Sequence, residues 1–197
     1  PRDVAEAAAS GGVDVQERRR LQREADPATL SDLIRGLDRL RDVETAKLVV
    51  AKISVDSDAV REAAVMVLSK APAAEVVAWM RTEGLTGTCG VARALVVRAL
   101  GTLKDLVARP AIEALLDDPY WLVRANAAKA LADLGDPASG PILAANVDDT
   151  SSKAWIAKVD ALARFGAAGT PATKAVAAGL SGREWQVRLT ACRALAT

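Results

Sequence analysis

The feature that most constrains how this chain can fold is a recurring stripe. With Arg124 as position zero, Ala127, Leu131 and Leu134 fall at +3, +7 and +10, one face of a helix of 3.6 residues per turn. The same stripe recurs as Arg61, Ala64, Leu68; as Arg93, Val96, Leu100, Leu103; as Trp155, Lys158, Leu162, Phe165; and as Arg188, Ala191, Leu195. An earlier copy without the Arg is Leu30, Leu33, Leu37, Leu40. The zero positions 30, 61, 93, 124, 155 and 188 are separated by 31, 32, 31, 31 and 33 residues. A helical unit repeated at that period cannot bury its apolar stripe alone, so successive units must stack into one continuous core.

Between the stripes lie shorter apolar segments, Ala46 to Ile53, Ala73 to Met80, Ala111 to Leu116, Pro141 to Val147 and Pro171 to Leu180. Each repeat therefore reads as a short helix followed by a longer one. Pro110, Pro141 and Pro171 suit first helical turns, where an N–H is not needed. Asp118-Pro119 predicts the N-cap and first residue of one long helix, and Ser181 with Glu184 has capping-box spacing for another. Gly135-Asp136-Pro137, Gly166, Gly169, Gly179 and Gly182 mark turns.

Composition agrees with close-packed helices. The 197 residues are 51% hydrophobic but only 3% aromatic, and roughly a fifth are Ala, a small helix former. Lys+Arg 26 against Asp+Glu 25 gives a net charge of +1, which speaks against a surface devoted to phosphates. There is no histidine, so the commonest general base and metal ligand is missing. Cys89 and Cys192 lie far apart and outside metal-ligand spacing; they read as reduced, buried small hydrophobes. No apolar run is long enough to span a membrane, and Pro1 to Ala9 lacks a signal-peptide hydrophobic region, so a cytoplasmic protein is expected.

The pattern Asp-x-x-x-x-Val-Arg-x-x-Ala-x-x-x-Leu-x-x-Leu-Gly-Asp-Pro, written here from Asp118 to Pro137, resembles the short HEAT-like repeat of the kind also found in phycobilin lyase subunits. The resemblance covers about residues 26 to 197; it is strong in the fourth copy, fair in the second, third and sixth, and weak in the fifth, where Trp155 replaces the Arg, while the first copy lacks the Arg altogether. It implies an all-α, right-handed α-solenoid of about five to six HEAT-like hairpins, with the Arg-bearing helices lining a concave face. Residues 1–25 stand apart as an N-terminal helical cap or a basic arm containing Arg18-Arg19-Arg20, and residues 26–197 form the repeat solenoid.

The repeated Arg61, Arg93, Arg124 and Arg188 read as an inter-repeat ladder of charge-assisted hydrogen bonds to acids such as Asp56, Asp118 and Asp149; anion binding is the other reading. Trp121 and Trp185, both three residues before the Arg, read as packing over a turn, Trp155 as core, and Trp79 as part of a short helix on the convex side. Positions +5 and +9 lie about 140° and 180° around the helix from position zero, away from the core. They are Arg35, Met66, Arg98, Lys129, Asp160 and Arg193, then Arg39, Lys70, Thr102, Asp133, Arg164 and Thr197. Seven are basic and two acidic, so Arg35, Arg39, Lys70, Arg98, Lys129, Arg164 and Arg193 are the candidate partner-binding residues.

The reading that follows is a non-enzymatic scaffold for an acidic peptide or protein surface, needing no cofactor or metal and no membrane. Nucleic-acid binding is the alternative: HEAT-like DNA glycosylases use tryptophans, a carboxylate and a basic groove, and Trp155 with Asp160 or Trp121 with Arg124 supplies those residue types. A bilin lyase-like subunit is a further alternative, implied by the repeat type alone. The stripe of the last long helix has no hairpin after it, so that end is expected to be covered by more chain or by an oligomeric partner.

Overall fold

The computed structural model describes residues 15–53, 57–165, 173–182 and 184–196. The readings placed on residues 1–14, Asp56, Gly166, Gly169, Pro171 and Thr197 lie outside them. Among the described residues there are twelve α-helices and no strand. They are α1 (Val15–Arg23), α2 (Pro27–Gly36), α3 (Val43–Lys52), α4 (Asp58–Leu68), α5 (Ala74–Trp79), α6 (Gly90–Thr102), α7 (Arg109–Ala114), α8 (Trp121–Leu134), α9 (Ser139–Ala145), α10 (Ser152–Arg164), α11 (Thr173–Ala178) and α12 (Trp185–Leu195).

Local chemistry sets many of the boundaries. Asp26 and Asp42 cap α2 and α3 by accepting the N–H of Thr29 and Thr45, each at 2.8 Å, and Pro27 opens α2. Gly135 ends α8 in the left-handed region at φ 70°, its N–H donating to the Leu131 carbonyl. After α5 the chain widens into one π-helical stretch, Met80–Gly84. There the Thr82 hydroxyl donates to the carbonyls of Ala78 and Trp79, partnering groups at the α-to-π junction.

Contacts divide the chain into two compact units, Pro1–Ala99 and Leu100–Thr197. In the first, α2 packs on α4, while the short helices α1, α3 and α5 pack beside one another as a second layer. In the second, α8, α10 and α12 stack in order, with α7 and α9 side by side across their backs and α11 against α12. Each unit is thus a two-layer array of short-long hairpins. The interior is the predicted stripe: Leu30, Ala64, Leu68, Val96, Leu100, Ala127, Leu131, Leu162 and Ala191 are buried. Helix α1 joins this pattern as the short partner of α2, with Leu21 buried, Arg18 paired to Asp42 at 3.0 Å, and Lys52 donating to the Gln22 and Glu24 carbonyls at 2.8 Å.

Several boundaries differ from the sequence reading. Helix α2 stops at Gly36, so Leu37 and Leu40 are buried from an extended connection, in which the Leu40 carbonyl accepts the Ala73 N–H at 2.8 Å; Arg39 leaves the helix with them. Helix α8 begins at Trp121, because Asp118 turns its carboxylate to the Tyr120 N–H and closes a separate turn. Ser181 ends a 3-10 turn and does not cap α12; Glu184 holds the cap position and accepts from Ser152 Oγ at 2.7 Å. Helix α9 starts at Ser139, two residues before Pro141. Leu195 is exposed, so the last copy's stripe is only partly covered.

Small residues set how closely the long helices approach. A Cβ added at Gly101, at the end of α6, would lie 2.7 Å from both Cα and Cβ of Ala130 on α8. Overpacking of this kind costs roughly 1–3 kcal/mol. Gly101→Val is expected to lower stability by about 2 kcal/mol in urea unfolding, whereas Gly36→Ala, with nothing within 4 Å of its Cβ, should have little effect.

Candidate functional site

The strongest concentration of polar chemistry is a buried ion cluster in the connection between α9 and α10. Asp149, its side chain only 1% exposed, accepts from Arg124 Nε at 2.7 Å and Nη2 at 2.6 Å, and from the Ser151 N–H at 2.8 Å. The ammonium of Lys158, also buried, lies 3.1 Å from Asp149 Oδ2 and donates to Asn146 Oδ1 at 2.7 Å. Asn146 in turn donates to Asp117 Oδ1 at 2.7 Å. Burial alone would raise the Asp149 carboxyl, but hydrogen bonds from Arg124, Ser151 and Lys158, with the Lys158 charge, outweigh it and hold the pKa at about 2. The Asp149 hydrogen bond also raises Arg124. Every member is partnered, so the cluster is a lock between two hairpins and offers no vacant group for chemistry.

The other arginines at position zero share one part of this arrangement. Arg93 donates to the Gly87 and Thr88 carbonyls, Arg124 to those of Asp118 and Pro119, and Arg188 to that of Gly182. Each reaches back six residues and fastens the turn before its own helix. Arg61 pairs with Asp58 on its own helix at 2.7 Å. The reach to a neighbouring hairpin is seen at Arg124 and Asp149, 25 residues apart.

The described +5 and +9 residues are exposed in both units. In the first, Arg98 donates to Glu62 at 2.8 Å, Lys70 lies 3.5 Å from Asp38, and Arg35 is 3.9 Å from Asp32; Arg39 is exposed on the connection after α2. In the second, Arg164 donates to Asp133 at 2.7 Å. Asp160 feels both Lys129 and Arg193: burial raises its carboxyl, and the two cations only partly oppose this. The basic columns are therefore interleaved with acids: Glu62 and Asp133 from adjacent long helices, Asp32 from the same helix as Arg35, and Asp38 from the connection after α2. Counting only charges at +1, +2, +5, +8 and +9 named here, four cations face Asp32, Asp38 and Glu62 in the first unit, and three face Asp133 and Asp160 in the second.

The tryptophans do not assemble a base pocket. Trp155 is buried against Gly179, while Asp160 projects from the exposed side of the same helix. Trp121 packs on Ala125, Ala154 and Ala157 beneath the Lys153 ammonium, 5.0 Å from the ring, and Arg124 is held by Asp149. Trp79 is buried and Trp185 is 61% exposed. Both cysteines are free and exposed, contrary to the buried reading: Cys89 sits in the turn before α6 and Cys192 on the outward side of α12. Among the described residues, no group of three or more His, Cys, Asp or Glu is placed to hold a metal, and no helix is long and apolar enough to cross a membrane.

Comparison with family models matches residues 80–163 to HEAT repeats, the span from the π-helical stretch through most of α10. Comparison with curated proteins finds no match. Among solved structures the chain is similar to a designed armadillo repeat protein, YIII(Dq)4CqI, at 18% identity, with 92% of this chain and 98% of that one covered and a TM-score of 0.49. The match covers residues 80–163, and the short-long hairpins of each unit are those of an all-α repeat protein, HEAT-like over that span.

Removing one partner of a buried ion pair strands the other charge and costs roughly 3–5 kcal/mol. Asp149→Ala is expected to destabilise the chain by about 3 kcal/mol. Because the folded pKa of about 2 lies below the ordinary 3.8, the stabilisation is complete above roughly pH 5 and is lost as pH falls from about 4 to 2. Urea midpoints across that range should fall more steeply for the parent chain than for Asp149→Asn.

Proposed function

We propose that the chain is a non-enzymatic binding scaffold that takes an acidic peptide or protein surface along the exposed side of its long helices. HEAT and armadillo repeats typically serve as protein-interaction scaffolds, and their binding surfaces are spread over successive repeats instead of a single pocket. The observation that carries the acidic preference is the arrangement of Arg35, Arg39, Lys70 and Arg98 in the first unit and Lys129, Arg164 and Arg193 in the second. All are exposed, and each group exceeds its neighbouring acids by one.

The internal ion pairs shape this surface without blocking it. Exposed pairs contribute about 0–1 kcal/mol each, so a partner carboxylate exchanges for Asp38, Glu62 or Asp133 at little cost. Meanwhile the pairs to Glu62 and Asp133 restrain Arg98 and Arg164, which lowers the entropy lost on binding. The alternating signs also disfavour a uniformly anionic ligand. A duplex laid over α8, α10 and α12 would meet Asp133 and Asp160 as well as the cations.

The test is fluorescence anisotropy with a labelled Glu-rich peptide and, separately, a labelled duplex of equal charge. Peptide binding should weaken with salt, and Lys129→Glu with Arg193→Glu should reduce affinity by about tenfold. Peptide affinity indifferent to both would refute the proposal, and tighter binding of the duplex would replace it with a nucleic-acid function.

A further inference from the structure

Along the exposed side of the long helices, the described +5 and +9 residues are charged or polar with one exception. Met66, at +5 on α4, is a large apolar side chain left 45% exposed. Helix α4 already buries Ala63, Ala64, Val65, Val67 and Leu68, so the core does not depend on this residue. A lone surface methionine calls for no explanation by itself; the arrangement of charge around this one does.

On its own helix Met66 lies one turn from Glu62 and one turn from Lys70, on a single face. Glu62 accepts from Arg98 of α6 at 2.8 and 3.4 Å, and Lys70 lies 3.5 Å from Asp38 on the connection after α2. Both flanking charges are thus engaged with neighbouring elements, one with the long helix after α4 and one with the connection before it. Between them the thioether stays open to solvent.

Across the helices, the same register reads Arg35 on α2, Met66 on α4 and Arg98 on α6. Helix α2 packs on α4, and the pair between Arg98 and Glu62 brings α6 alongside. Adjacent helices pack about 8–10 Å apart, so each cation stands about one such step from the methionine. A polyproline II segment has three residues per turn at a rise of about 3.1 Å, which sets every third side chain on one face about 9 Å apart. That repeat matches the helix spacing. A carboxylate, an apolar side chain and a second carboxylate, each three residues from the last, therefore reach Arg35, Met66 and Arg98 in turn. A β-strand segment, whose side chains alternate between faces, turns the middle one away.

On the reading of this surface as a site for acidic partners, on which this inference rests, we propose that Met66 is its apolar anchor in the first unit. The partner is a polyproline II segment of the pattern acid-x-x-apolar-x-x-acid, laid across α2, α4 and α6. Arg35 and Arg98 take its carboxylates, exchanging them for Asp32 and Glu62, and Met66 takes the apolar side chain. Methionine suits this because its unbranched, polarisable chain adapts to apolar groups of different shape. The two units then differ in what they accept between paired acids, since the middle place of the second is Asp160, acting between Lys129 and Arg193.

Two labelled peptides of one composition test this by fluorescence anisotropy. Each carries terminal glutamates with proline and serine spacers; one has leucine at the centre, three places from either glutamate, and the other has the leucine moved by one place. The parent chain should bind the centred peptide about fivefold more tightly, the gain from covering part of two apolar side chains. Met66→Gln, close to Met in length and helix propensity, should bind both peptides equally, at the parent's affinity for the shifted one and with unchanged circular dichroism. Met66→Leu should keep the preference. Salt-sensitive binding of both peptides without preference overturns the role of Met66 and leaves the acidic reading of the surface standing. So does a preference that survives Met66→Gln, or binding of the Glu-rich peptide with neither of these. Salt-dependent binding of none of the three peptides overturns both.

Discussion

The second unit is organised around one buried carboxylate. Asp149 lies in a connection, where a helix dipole is not its main support, and its desolvation would be prohibitive unless its lone pairs were filled. Arg124 fills them from the preceding hairpin, Lys158 from the following long helix, and Ser151 from its own turn. Three groups from different parts of the sequence must therefore arrive together. Apolar stacking of Ala against Ala tolerates sliding, because small side chains offer few distinguishing contacts. A bidentate guanidinium with a buried ammonium does not, so the ion cluster fixes the register that the alanines leave soft.

The fifth copy illustrates how the repeat pattern bends to this demand. Trp155 takes the place of the Arg at position zero and fills the space against Gly179, where a Cβ would collide with the indole. The cation appears one turn later as Lys158, on the buried stripe, and reaches the same Asp149. Weakness of that copy as a sequence match and strength of the lock at that point have one cause.

Much of the fold was legible because a 31- to 33-residue spacing of one helical stripe has few other physical explanations. Leu68, Leu100, Leu131 and Leu162 are buried where the stripe requires. What was not legible depends on local competition or on distant partners. Asp118 prefers the Tyr120 N–H to a helix cap, and α2 stops at Gly36 because the next loop can bond the extended backbone at Leu40. Lys158 was visible as the one lysine on a buried stripe, which is itself a signal for a buried acid nearby, but its partner lies in a turn that periodicity does not locate. The basic columns were legible as exposed positions, whereas their pairing to Asp38, Glu62 and Asp133 was not, because those acids belong to the neighbouring copy.

The interleaved charges narrow what an acidic partner must look like. Adjacent long helices pack about 8–10 Å apart, so Lys129 on α8 and Arg193 on α12 are separated by about two such steps, with Asp160 of α10 acting between them. An extended peptide rises about 3.3 Å per residue, so one crossing these helices spans the two cations in about five to six residues. A carboxylate at each end of that span finds a cation, while one at its middle meets Asp160, already raised by burial. The proposed surface therefore selects for spaced acids with a neutral or basic residue between them and against an unbroken acidic run. On the proposed reading, a chain with a net charge of only +1 would discriminate among anionic partners by the spacing of its charges more than by their sum.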